Sequence, residues 1–159
     1  MRLSSFSPSW DNGSPLLSQA SREGSALKFT PAEVEIQRSV ELVLYPAHPE
    51  RRLPERRNLP RIPYPHPVRL TPMSQDSAPL TSETLVVIGR NLSLMGFDFY
   101  HVEPLPYRRV IASFELPTGH WLGFLLDLSW CRFGKHGFYD GGGRFLKVVP
   151  SPLEGDSAA

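Results

Sequence analysis

Prolines restrict the structure of this chain more than any other residue type. Seven of them lie between Pro46 and Pro67 in a sequence of 159 residues. Proline cannot donate a backbone hydrogen bond, and it disfavours the helical conformation in the residue that precedes it. We therefore predict extended, polyproline-like backbone across this stretch, with helix confined to the residues before it and strands to the residues after it.

A polar tail and one amphipathic helix are predicted before the prolines. Residues 1–29 are rich in serine and lack a sustained hydrophobic period, so burial could not offset the entropy of ordering them, and we predict a flexible tail. In the helix and linker segment that follows, residues 30–50, Thr30 and Pro31 are typical of an N-cap and a first helical position. Four apolar residues then repeat at helical spacing: Ile36, Val40, Val43 and Leu44. The pattern predicts a helix from Pro31 to Leu44.

Short β-type runs separated by turn residues make up most of the chain from Val68 onward. The predicted strands are Val68–Thr71, Thr84–Leu92, Gly96–Val102, Arg108–Leu116, His120–Phe133 and Arg144–Val149. Apolar and polar residues alternate most clearly in the fifth run, where one face has Leu122, Phe124, Leu126, Leu128 and Trp130. We predict an all-β fold: a six-stranded antiparallel β-barrel, with one face of each strand buried and one solvated, an N-terminal helix and an extended arm.

Turn residues set the connections between these strands. Pro117-Thr118-Gly119 is predicted to form a hairpin turn, and Gly141-Gly142-Gly143 a flexible connection before the last strand. Residues 151–159 are small and polar after Pro150 and Pro152, and we predict a flexible C-terminal tail there.

Several classes of function are disfavoured by composition. The formal net charge is +1, so an extended nucleic acid is not an expected partner. Cys131 is the one cysteine, which excludes an intrachain disulfide and a cysteine-rich zinc site, and the five histidines lack metal-ligand spacing. There is no secretory signal pattern and no run of about 18 apolar residues. We expect a cytoplasmic protein with no membrane span, no metal and no cofactor.

Positive charge is concentrated on the proline-rich arm. Five arginines and one glutamate lie between Arg51 and Arg61, and Arg56, Arg57 and Arg61 form an R-x-x-x-R pattern with an adjacent arginine. Guanidinium groups make bidentate bonds to phosphate and match the O6 and N7 edge of guanine. The arm could therefore clamp an anionic ligand, or it could be a solvated linker that only keeps the chain soluble.

A second motif follows the predicted second strand. Asn91, Ser93 and Gly96 stand in the segment Asn91-Leu92-Ser93-Leu94-Met95-Gly96. Asparagine and serine can cap backbone N–H groups or present oxygens to a ligand, and glycine permits close backbone approach. By itself, the segment is better explained as a well-formed turn.

Together, the R-x-x-x-R arm before the first strand and the [D/N]-x-S-x-x-G segment after the second resemble the PilZ domain family, over roughly residues 51–150. Gly142-Gly143-Arg144-Phe145 is also similar to the G-x-x-F pattern of that family. The resemblance implies a non-enzymatic receptor for the bacterial second messenger cyclic di-GMP, which signals by ordering its N-terminal arm and acts on an effector protein. By position, it implies ligand-binding roles for Arg56, Arg57, Arg61, Asn91, Ser93 and Gly96.

The sequence departs from many family members at Asn91, where they have aspartate. Asparagine keeps an acceptor for a guanine N–H but lacks the negative charge that would pair with an arginine. From the sequence alone, changing Asn91 to aspartate is expected to preserve or tighten binding.

Two alternatives to nucleotide reception remain. The chain could be a degenerate PilZ-like barrel that serves protein-protein interaction without nucleotide binding, or an RNA-binding OB-like barrel with basic and aromatic residues interleaved on its strands. An enzyme is not expected, because no nucleophile and base, or pair of carboxylates, are arranged together. Asp98, Asp127 and Asp140 are interpreted as solvated, Cys131 as a small packed residue, and Trp130 as part of the core.

Overall fold

The computed structural model describes residues 29–47 and 61–155. These contain one α-helix, seven β-strands and a 3-10 turn at Thr81–Glu83. The elements are α1 (Pro31–Ala47), β1 (Ile62–Pro63), β2 (Pro67–Pro72), β3 (Leu85–Leu92), β4 (Gly96–His101), β5 (Arg109–Glu115), β6 (Trp121–Phe133) and β7 (Tyr139–Val149). The predictions for residues 1–28, 48–60 and 156–159, which include Arg56 and Arg57, lie outside the described residues.

Strands β2 to β7 form a closed antiparallel barrel. Hydrogen-bonded neighbours follow the order β3, β2, β5, β6, β7, β4, and β4 pairs back with β3, which closes the sheet on itself. The two-residue strand β1 is additional to this ring and pairs with the end of β3, with Ile62 opposite Leu92 and Pro63 opposite Asn91. The predicted six-stranded antiparallel barrel is confirmed.

Alternating side chains of the strands fill the barrel. Phe97, Phe99, Phe114 and Phe124 are almost completely buried, as are the smaller residues of β2 and β5 that face them. The aromatic rings meet edge-on or tilted, with 5.4 Å between the centroids of Phe114 and Phe124, a favourable geometry for aromatic pairs. This single core fixes the strand register, because a slip by one residue would turn every apolar side chain outward.

Helix α1 packs on the barrel with its predicted apolar stripe. Ile36, Val40, Val43 and Leu44 are all buried and belong to the same hydrophobic core as the strands, and α1 lies against β7. The helix was predicted to end at Leu44, but it continues to Ala47 and includes Pro46 in its last turn. In the described part of the chain, no helix has the length and hydrophobicity to span a bilayer.

The glycines before the last predicted strand do not form a flexible connection. Gly141, Gly142 and Gly143 lie inside β7 and pair with both β4 and β6. The physical reason is close strand packing: a Cβ at Gly143 would clash with the carbonyl oxygen of Asp127. The prediction was wrong because a run of glycines has the composition of a linker, and the sequence does not show that neighbouring groups occupy the space of the missing side chains.

The first residues after β7 also differ from the predicted tail. Residues 151–155 form a turn in which Ser151 is buried, with its Oγ 2.7 Å from the Oγ of Ser113. The Glu154 carboxylate accepts a hydrogen bond from the backbone N–H of Trp121 at 2.6 Å. This turn covers part of the outer wall, so Ser113 is buried where the alternation predicted a solvated face.

Candidate ligand-binding site

The β3–β4 turn is built by two of the predicted site residues. The Ser93 Oγ accepts hydrogen bonds from the backbone N–H groups of Met95 and Gly96, each at 3.1 Å. At Gly96, a Cβ would clash with the carbonyl oxygen of Gly143, so glycine is required for β4 to pair closely with β7. Ser93 and Gly96 therefore shape the wall of the site, and the lone pairs of the serine oxygen are already engaged.

Arg61 reaches this wall from the end of the arm. It directly precedes β1, and the antiparallel pairing of β1 with β3, continued by one residue, places it opposite Ser93. Its Nη1 lies 3.3 Å from Oδ2 of Asp98, while 68% of its side chain is exposed. The guanidinium is thus held through Nη1, and its other N–H groups remain accessible to solvent.

Asp98 is the carboxylate that holds Arg61, and it is nearly enclosed. Its side chain is only 10% exposed, so the prediction that it is solvated was wrong. Burial raises the pKa of Asp98, and the charges of Arg61 and Arg90 and a hydrogen bond from the Asn91 side chain oppose that rise. Asn91 and Asp98 are cross-strand partners in the β3–β4 pair, so the amide and the carboxylate face each other.

Trp130 and Gly142 form the floor beside Asp98. A Cβ at Gly142 would clash with Oδ1 of Asp98 and lie 2.8 Å from Nε1 of Trp130, so the carboxylate and the indole both extend over this glycine. The alternation predicted that Trp130 shares the core face of β6. An irregularity between Leu128 and Trp130 interrupts the pairing with β7 and changes the direction of the following side chains. Trp130 is partly exposed, and the prediction that it belongs to the core was wrong.

These side chains enclose a hollow of about 270 Å³ on the outer wall, which we call the Arg61 hollow. It is lined by Arg61, Asn91, Ser93, Met95, Gly96, Phe97, Asp98, Ser129, Trp130, Gly143 and Arg144. All four predicted site residues that the structure describes lie around it. The pattern missed Asp98, Trp130 and Arg144 as site residues. In the β3–β4 hairpin Phe97 pairs with Leu92, so the next pair away from the turn is Asp98 with Asn91. This hairpin register is the signal that could have identified Asp98.

The sequence matches no protein-family model and no curated protein. The fold is similar to a solved structure, that of the Bacillus subtilis Inhibitor of motility (MotI/DgrA). The TM-score is 0.46 and the sequence identity 12%, over 66% of this chain and 47% of that one. The chain thus spans about half the length of that protein.

The Arg61 hollow combines two positive charges with one buried negative charge. Arg61 is paired with Asp98, whereas Arg144 makes no ion pair with any residue that the structure describes. Four arginines elsewhere on the barrel approach acids: Arg90 and Arg132 lie near Asp140, and Arg108 and Arg109 lie near Asp127. Arg69, on β2, instead lies over the ring of Trp121. The charge of Arg144 is therefore available to an anion that enters the hollow.

Cys131 lies next to this region and differs from its prediction as a packed residue. It is exposed, and its Sγ lies 3.9 Å from Nε2 of the buried His101. It does not line the Arg61 hollow.

Proposed function

We propose that this chain is a cytoplasmic, non-enzymatic PilZ-like receptor that binds the bacterial second messenger cyclic di-GMP in the Arg61 hollow. The observation that supports this most strongly is the position of Arg61. The last arginine of the arm lies over the hollow that Asn91 lines, and the two motifs are more than 20 residues apart in the sequence.

The residues around the hollow suit an anionic nucleotide. Arg61 and Arg144 present guanidinium groups for a phosphate or for the O6 and N7 edge of guanine. Asn91 adds an amide, and the indole of Trp130 adds an aromatic surface beside them. The volume of about 270 Å³ lies just below the usual range for ligand pockets, so the hollow would take only part of the dinucleotide. Arg56 and Arg57, by the family resemblance, would grip the rest of the dinucleotide.

Signal transmission would follow from the chain order. The arm connects α1 to Arg61, and neutralisation of its arginines by the ligand would favour an ordered arm. A change in the arm would then act on α1, where Leu42 and Tyr45 are 56% and 66% exposed. This helix surface is the proposed contact for an effector protein.

Titration calorimetry with cyclic di-GMP, beside GTP and cyclic AMP, tests the proposal. We expect saturable binding of cyclic di-GMP and much weaker binding of the other two. Arg61→Ala should weaken binding by about tenfold or more, since a hydrogen bond to a charged group contributes roughly 1.5–3 kcal/mol. The double change of Arg57 and Arg61 to alanine should abolish it with the barrel still folded.

Arg108→Ala is the matched control. Arg108 is also an exposed arginine paired with an aspartate of the outer wall, but it does not line the hollow. Its loss should leave the affinity unchanged. Absence of cyclic di-GMP binding, or an unchanged affinity after the double substitution, would contradict the proposed function.

A degenerate barrel that contacts proteins is the second candidate. It is favoured by an apolar hollow of about 870 Å³ between α1 and the β5–β6 turn, which includes the exposed Leu42 and Tyr45. It predicts a folded protein that binds no nucleotide in the titration. The RNA-binding alternative predicts binding of single-stranded oligomers. Arg132 lies over the ring of Trp130 on the outer wall, as this alternative requires. However, Asp140 lies near Arg132, and its negative charge would oppose the binding of an RNA phosphate.

A further inference from the structure

The buried acid is the feature of the Arg61 hollow that an anion site does not explain. A carboxylate repels a phosphate, yet Asp98 lies among the groups proposed to bind one. The conflict disappears if the ligand presents its phosphate to the arginines and a different, donor-rich part to Asp98. The hollow therefore suits a ligand with both an anionic group and closely spaced N–H donors.

We propose that Asp98 is the base-recognising residue of this site and that its carboxylate accepts hydrogen bonds from the N1–H and 2-amino groups of a guanine. The inference rests on the proposed function and names the residue that sets its base specificity. It also accounts for Asn91. The negative charge that Asn91 lacks is supplied by Asp98, its cross-strand partner on the neighbouring strand β4.

The geometry leaves Asp98 able to accept further bonds. An ionised carboxylate has about four acceptor directions. Arg61 approaches Oδ2, and the Asn91 amide donates to the same carboxylate. By that count two acceptor directions are left for a ligand, and Asp98 is one of the residues that line the hollow. Its contacts with Arg61 and Asn91 hold the carboxylate in place before a ligand arrives, which reduces the entropy lost on binding.

Guanine is the nucleobase whose Watson–Crick edge offers two adjacent donors. The corresponding edge of adenine has one donor beside the lone pair of N1, and that lone pair would face a carboxylate oxygen. A site built to receive hydrogen bonds discriminates strongly against an analogue that lacks the donor, because a buried acceptor is left without a partner. Asp98 should therefore select guanine over adenine rather than raise affinity for every cyclic dinucleotide.

Calorimetry with cyclic di-GMP and cyclic di-AMP on the full chain and on Asp98→Asn tests this role. The substitution preserves shape but places an amide N–H₂ where a carboxylate oxygen accepted. We expect the preference for cyclic di-GMP to fall by about tenfold or more. Asp127→Asn, an acid of the outer wall outside the hollow, should leave the preference unchanged. Equal loss for both ligands, or no loss, would overturn the assignment.

A ligand-side test avoids dependence on the folding of the variant. Cyclic di-IMP keeps N1–H, O6 and N7 but lacks the 2-amino group, and it should bind the unaltered protein about tenfold more weakly than cyclic di-GMP. Equal affinity for the two would overturn the inference. The Asp98→Asn variant should bind the two ligands with nearly the same affinity. The 2-amino group can add affinity only while the Asp98 carboxylate is present to accept from it, as in a double-mutant cycle. If the unaltered protein binds neither guanine nor hypoxanthine ligand, the proposed function is contradicted, and the role of Asp98 with it.

Discussion

Asp98 shows how a single polar side chain can be buried on the outside of a barrel. It lies between Phe97 and Phe99 in β4, where strand alternation turns it away from the core. It is covered by Arg61, which precedes β1, and by Trp130 from β6. The sequence predicted a solvated acid because alternation reports only which side of a strand a residue occupies. It does not report which distant segments lie over that side.

The cross-strand contact between Asn91 and Asp98 reverses the expectation for Asn91→Asp. The sequence suggested preserved or tighter binding, but an aspartate here would face Asp98 across the strand pair and remove the amide that donates to it. Like charges directly opposite each other are destabilising. We expect the free energy of unfolding at pH 7 to fall by about 1 kcal/mol and cyclic di-GMP to bind about tenfold more weakly. Urea unfolding and calorimetry measure the two effects.

The exchanged pair provides the control for that substitution. Asn91→Asp combined with Asp98→Asn restores one amide opposite one carboxylate, so it should recover most of the lost stability. The loss of unfolding free energy in Asn91→Asp alone should also become smaller at acid pH, because protonation of one carboxylate removes the repulsion. A single variant as stable as the unaltered protein at pH 7 would show that the two side chains do not interact in this way.

Local sequence patterns predicted α1 and the strands of the barrel nearly correctly. Helical spacing placed Ile36, Val40 and Leu44 on one face, and the period of two located the strands, because both periods follow from backbone geometry within one element. The errors lie where elements meet. The glycines of β7 are required because a Cβ there would clash with atoms of the neighbouring strands. The irregularity beside Trp130 arises in the pairing of β6 with β7, which no pattern within β6 alone reports. Arg61 and Asn91 were joined through a family resemblance, not through local pattern.

Helix α1 buries the side-chain amide of Gln37. Gln37 is 4% exposed, and its Nε2 has no hydrogen-bond partner in the part of the chain that the structure describes. Replacing it by methionine, which is of similar size, should raise the free energy of unfolding by about 1 kcal/mol, since burial of an unpaired amide costs about 1–3 kcal/mol. Gln37→Glu should have the opposite effect, because it buries a charge. Urea unfolding of both variants measures this, and a less stable methionine variant would contradict it.

Tyr64 makes the stability of the folded protein depend on alkaline pH. It is 6% exposed, and burial raises its pKa from 10.0 to about 12. In the unfolded chain the phenol ionises above pH 10, while in the folded protein it stays protonated until about pH 12. The unfolded state therefore releases a proton first, and stability falls between these two values. The limiting slope for one proton is about 1.4 kcal/mol per pH unit.

Tyr64→Phe should remove this part of the alkaline destabilisation. We expect a shallower loss of unfolding free energy between pH 10 and 12 than in the unaltered protein, measured by urea unfolding across that range. Tyr45→Phe is the matched control, because Tyr45 is 66% exposed. Parallel pH profiles for Tyr64→Phe and the unaltered protein would refute this account of Tyr64.

The pairing of β1 with β3 fixes the chain immediately after Arg61 to the barrel. Whatever precedes that arginine, its backbone enters the wall at the same point and in the same direction. Connections of different length between α1 and Arg61 could consequently be exchanged, with the guanidinium delivered to the same place. The hollow would in this way keep its arginine while the length of the preceding connection changed.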